Sequence, residues 1–114
     1  MMFSSNSFAE WTEVTENDLG ILYMDLERVR KSDGGVYFWI LIERFAPTED
    51  GTLSTKAYKQ GDCNLVRHRF LSFVHHEQPM GRDTGESNTN KNPEWKYPSP
   101  DSTWESVLQT VCSR

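Results

Sequence analysis

The sequence predicts an α+β domain: an antiparallel β-sheet of about six strands, with one C-terminal helix packed on it and tied to it by a disulfide between Cys63 and Cys112. Three observations predict this. Val36-Tyr37-Phe38-Trp39-Ile40-Leu41-Ile42 is β-branched and aromatic and apolar at consecutive positions, the pattern of a central strand covered on both faces. Such a strand needs a second layer, and Trp104, Val107, Leu108, Val111 and Cys112 recur at helical spacing to supply it. The segments around the central strand alternate apolar and polar residues, as half-solvated antiparallel strands do.

Taken in chain order, residues 1 to 8 are rich in Ser and Asn and read as a flexible lead, with a single domain over 9 to 114. Ala9, Trp11 and Val14 begin a short first strand, which ends at the polar run Thr15-Glu16-Asn17-Asp18. Ile21-Leu22-Tyr23-Met24-Asp25 is the second strand, and Leu26 and Val29 mark a brief bend. Ser32-Asp33-Gly34-Gly35 is a hairpin turn of residues suited to positive φ.

After the central strand, Pro47 opens a loop, and residues 53 to 60 form a strand with one wet face. Residues 65 to 75 form a long strand. Strict alternation would place Val66, His68, Phe70, Ser72 and Val74 on one side and Leu65, Arg67, Arg69, Leu71, Phe73 and His75 on the other. Residues 78 to 100 turn to Gly, Asn, Pro and charge, an irregular excursion with one edge strand, tied down by Trp95 and Tyr97. Ser102-Thr103-Trp104-Glu105 is a Ser-x-x-Glu capping box opening the helix.

The two cysteines are 49 positions apart, so by themselves they make no Cys-x-x-Cys redox or zinc motif. Two buried free thiols are the alternative to a bond. Cys112 lies on the stripe that must face the sheet and Cys63 beside a strand, which favours the disulfide and an oxidising, exported setting.

With 17 acidic and 12 basic residues the chain carries a formal charge of −5, which argues against a broad footprint for nucleic acid or anionic lipid. The acidity lies in residues 1 to 57, with ten Asp/Glu against five Lys/Arg; residues 58 to 114 hold seven of each. No run approaches the roughly eighteen apolar residues of a membrane span.

Candidate chemistry is sparse. Asp83-Thr84-Gly85 echoes aspartic proteases, but it follows Met80-Gly81-Arg82 in a polar stretch rather than an apolar strand, and a plain turn explains it. His68, His75 and His76 offer no tight metal spacing, because neighbours on a strand point to opposite faces. No catalytic residue, metal or cofactor is expected. Arg67 and Arg69 share a strand face, and Arg28, Arg30 and Lys31 cluster before the hairpin turn. Either group could receive an acidic protein surface or a sulfated glycan. Solvated strand edges that discourage aggregation are the plainer account of each.

Trp11, Tyr23-Met24-Asp25, the strand around Trp39, Ser54 with Lys56, Asp62-Cys63, Met80-Gly81, Trp95 and the segment from Ser102 to Cys112 occur in an order that resembles the surface-adhesin protein E family of exported bacterial proteins. The resemblance spans nearly the whole chain. It implies a curved antiparallel sheet with a C-terminal helix disulfide-bonded on its concave face, and a periplasmic or cell-surface setting. No lipobox cysteine is present. The expectation is an exported, non-enzymatic binding or structural protein, with unpaired sheet edges that allow a homodimer. The alternatives are a small hydrolase or isomerase with a dispersed site, and an accessory subunit of an envelope assembly.

Overall fold

The computed structural model describes residues 10 to 114. Seven strands form one antiparallel sheet: β1 (Thr12–Glu16), β2 (Gly20–Met24), β3 (Arg30–Ser32), β4 (Gly35–Arg44), β5 (Ser54–Asp62), β6 (Arg67–His76) and β7 (Glu86–Thr89). The order is β1-β2-β4-β5-β6-β7, and β3 pairs with β4. β2 and β3 run one after the other along the same edge of β4, joined by a 3-10 turn at Leu26–Arg28. The helix α1 (Thr103–Cys112) closes the chain. The expected flexible lead and Ala9 lie outside the described residues.

Pairing of Phe38 with Lys59, of Ile40 with Ala57 and of Met24 with Ile40 sends their side chains to the same face of the sheet. Val36, Phe38, Ile40, Leu22, Met24 and Ala57 are buried there against Val107, Leu108 and Val111 of α1. Cys63, in the turn just after β5, is bonded to Cys112, with Cα atoms 5.8 Å apart. Ser102 caps the helix: its Oγ accepts from the Glu105 amide at 3.2 Å, while Glu105 Oε1 accepts from Asp101 N at 2.8 Å. The reciprocal bond of the capping box thus reaches one residue beyond the cap.

Several expectations need correcting. The short strand β3 breaks the stretch before the hairpin turn, and Asp33 and Gly34 at its tip have φ of 53° and 81°. The strict alternation expected along residues 65 to 75 fails, because Lys59 pairs with Phe70 while Tyr58 pairs with Ser72. Leu71 is the extra residue of a bulge. Beyond it the faces exchange, so Phe73 and His75 join His68 and Phe70 on the helix side, and Ser72, Val74 and His76 join Arg67 and Arg69. Leu65 and Val66 fall in the turn before β6, exposed, with Val66 at φ 53°. Tyr97 is 64% exposed and is tied to the sheet through its hydroxyl, whereas Trp95 is half-buried. The central strand is covered along its helix side, but on the other face cover is confined to its far end: Leu41 is buried there, while Tyr37 and Trp39 stay half-exposed.

Candidate functional site

The face of the sheet away from α1 carries the surface with the most chemistry. The period of two along β4 and β5 brings Tyr37, Trp39, Tyr58 and Gln60 onto it, and β6 adds Arg67 and Arg69. Tyr58 packs on both neighbours, with ring centroids 6.2 Å from Tyr37 and 4.9 Å from Trp39. Arg30 of β3 donates from Nη2 to the Tyr58 hydroxyl at 3.1 Å, and its guanidinium lies 5.6 Å from the Tyr37 ring centroid.

At the other end the guanidinium carbons of Arg67 and Arg69 each lie 4.1 Å from the centroid of Trp95. A two-bond bridge places that indole: His68 N donates to the Lys96 carbonyl at 3.0 Å and Lys96 N to the His68 carbonyl at 2.8 Å. Lys96 therefore follows His68 to the helix side, and Trp95 falls on the open face between the two arginines that flank His68. Arg67 donates through Nε to Asp62 at 2.9 Å and through Nη1 to the Tyr97 hydroxyl at 3.4 Å; Arg69 Nε donates to Gln60 at 2.9 Å. The Leu65 amide first, and the Arg67 guanidinium with it, hold the Asp62 carboxyl below the usual carboxylate range. Bonding to Tyr97, and then to Asp62, secures the positive charge of Arg67.

Of the basic residues singled out in the sequence, Arg30, Arg67 and Arg69 share this face. Arg28 lies farther along it, with Nε 3.4 Å from Asp25 Oδ2. Lys31 does not join them: its Nζ donates to the Arg114 carbonyl at the end of the helix. The three histidines have separate partners. His68 faces Lys59 at 2.6 Å, His75 faces Thr55 at 3.1 Å and His76 faces Asp83 at 3.1 Å. Among the described residues no group of three or more His, Cys, Asp or Glu is gathered as metal ligands.

Tyr37, Trp39 and Tyr58 as a surface are what the sequence reading missed. The alternation was visible, but reading the strand as covered on both sides hid it. A single helix can cover only one face, so the helix expected from the sequence already implied that Tyr37 and Trp39 stay open on the other.

A small sheet tethered to one helix, with aromatic and guanidinium groups spread over its open face, fits a surface-binding class of protein. The model of the surface-adhesin protein E family matches residues 11–113, and the chain belongs to that family. Membership makes it a surface-adhesin-like, exported binding protein.

Solved structures of Haemophilus influenzae protein E share the fold. One is 17% identical with a TM-score of 0.66, covering 90% of this chain and 83% of that one. A second, from non-typeable Haemophilus influenzae, is 15% identical with a TM-score of 0.64, covering 96% and 80%. A second crystal form is 17% identical with a TM-score of 0.63, covering 81% and 80%. Among curated proteins none matches.

Proposed function

We propose that this chain is a non-enzymatic adhesin-like protein, displayed at the cell surface, that holds an acidic segment of a partner protein against its open sheet face. The carrying observation is the placement of Arg67 and Arg69 on Trp95, with Arg30 on the adjoining Tyr37–Tyr58 pair. In a chain of net charge −5 these guanidiniums concentrate positive charge on one face. Stacking on flat rings leaves open to incoming carboxylates the N–H groups that Asp62, Tyr97, Gln60 and Tyr58 do not take, and arginine suits such a site because its fork is held planar. Neighbouring Trp and Tyr rings give apolar contact area at little cost in side-chain entropy.

An NMR titration of the oxidised chain with a hexaglutamate peptide tests the reading. Expected are saturable shifts at the Arg67 and Arg69 Nε–H and the Trp95 indole N–H. These should weaken with added salt and be abolished in an Arg67→Glu, Arg69→Glu double variant. Shifts scattered elsewhere, or unchanged in the double variant, would overturn it. Protease accessibility on intact cells tests the surface location: full protection would confine the protein to the periplasm.

A further inference from the structure

Beyond Trp39, the open face sinks into a cavity of ≈ 350 Å³ whose lining includes Trp11, Asp25, Arg28, Trp39, Lys56 and His76. Two of its polar side chains are each 1% exposed and each keeps one atom without a hydrogen-bond partner among the described residues: Asp25 Oδ2 and His76 Nε2. Asp25 Oδ1 is already used, accepting from the Glu27 amide at 3.2 Å. Among the described residues the cation against Oδ2 is Arg28, at 3.4 Å, on a side chain that is half-exposed.

The imidazole of His76 is fixed on its other side by Asp83, 3.1 Å from Nδ1. It is also gripped by two glycines of positive φ. A Cβ at Gly85 would lie 2.6 Å from the ring, and one at Gly81 would lie 3.3 Å from it. The backbone of the 79 to 85 segment thus bends around this histidine and sets where Nε2 sits. With Nδ1–H donating to Asp83, the neutral ring leaves Nε2 as an acceptor, so two residues that line one cavity each hold a buried acceptor with no donor among the described residues, which a group entering from outside can supply.

We propose that this cavity binds a single acidic sugar residue. Its hydroxyls donate to Asp25 Oδ2 and His76 Nε2, its carboxylate is received by Lys56 and Arg28, and the C–H face of its ring lies on the Trp39 indole. A divalent cation is disfavoured by the Lys56 and Arg28 charges, and a bare phosphate by the Asp25 carboxylate. An apolar ligand would leave both acceptors unmet. The volume falls in the lower part of the range for small-molecule pockets, roughly 300 to 1,000 Å³. Asp83-Thr84-Gly85, which resembles a protease triplet in the sequence, here holds the histidine and contributes Thr84 to the lining.

The site does not depend on the Arg67–Trp95–Arg69 end of the face. The test is an NMR titration of the full oxidised chain with D-glucuronic acid and with N-acetylneuraminic acid, using methyl glucoside as the neutral comparison. Expected are saturable shifts at Asp25, His76 and the Trp39 indole N–H with at least one acid. Loss of one charged hydrogen bond in Lys56→Met should weaken binding about tenfold or more. The Arg67→Glu, Arg69→Glu double variant should bind as the parent does, which separates this site from the proposed protein-binding surface. Asp25→Asn, which keeps the shape, should also weaken it; if that variant does not fold, Lys56→Met decides. The absence of saturable shifts with either acid up to about 50 mM, well past the ~1 mM expected of so small a ligand, would overturn the site. Equal binding of methyl glucoside, or of the Lys56→Met variant, would overturn the acidic class.

Discussion

Lys59 Nζ lies 2.6 Å from His68 Nδ1, on the buried face of the sheet beneath the first turn of the helix. The ammonium is also 3.9 Å from the ring centroids of both Phe70 and Trp104, and His68 stacks on Trp104 with centroids 5.4 Å apart. Among the described residues, two aromatic faces and one ring nitrogen replace the water this charge gives up.

Stability should therefore depend on pH through this pair. Burial, with Lys96 adding to it, lowers Lys59 from 10.5 to about 7. Burial, then Lys59 and Lys96, lowers His68 from 6.5 to about 4. Between the folded and unfolded pKa of each group the unfolded chain binds more protons, so unfolding free energy rises with pH. For His68 that rise spans about pH 4 to 6.5, and for Lys59 about pH 7 to 10.5. Urea melts at intervals from about pH 5 to 10 should show both slopes, and Lys59→Met should flatten the upper one. Parallel curves for the parent and the variant would show that the ammonium is not what titrates.

The disulfide is the second testable element. The ten-residue helix α1 fully buries only Val107, Leu108 and Val111. Closing a loop of 49 residues stabilises by about 4 kcal/mol in the chain-entropy model. Cys112→Ala should lower Tm by more than about ten degrees, at roughly 4 °C per kcal/mol for a chain near this size. A drop of a few degrees would mean that the apolar stripe holds the helix alone. Intact mass after alkylation under denaturing, non-reducing conditions should find no reactive thiol in the parent.

The helix start supports a smaller prediction. Ser102 Oγ is the acceptor for the Glu105 amide, so Ser102→Ala should cost about 1 kcal/mol, measured as a shift of the urea midpoint at constant m. Ser102→Asp should lose little, since a carboxylate caps as well and favours the helix N-terminus.

What the sequence made legible was whatever rests on local pattern. The 36 to 42 strand, the Asp33-Gly34 tip, the Ser102 cap and the stripe that carries Cys112 each follow from a few adjacent residues. The bulge at Leu71 was not legible, because Leu71 and Phe73 read as members of one alternating row and only pairing with β5 decides which of them is extra. The cavity was not legible either. Asp25, Lys56 and His76 come from three segments far apart in sequence and meet only through sheet order. The cluster before the hairpin turn divided because β3 alternates: Arg30 goes to the open face, while Lys31 goes to the helix end.

Gly61 offers the sharpest test of how helix and sheet fit. It lies in β5 opposite Val36, beneath the helix, and a Cβ there would stand 2.7 Å from Leu108 Cδ1 and 2.9 Å from Val36 Cγ1. Its backbone is ordinary strand, so the missing side chain serves close approach rather than an unusual φ. Gly61→Ala should destabilise by about 1 to 3 kcal/mol through overpacking. Leu108→Ala alone should cost about 2 to 5 kcal/mol, since it removes a buried side chain. In the double variant the new methyl enters the space that Leu108 vacates, so the two costs should fall short of their sum by about 0.5 to 3 kcal/mol. Denaturant melts of the four proteins measure this coupling. Strict additivity would mean that the helix shifts to admit the methyl in either background, and that Leu108 does not set its distance from the sheet.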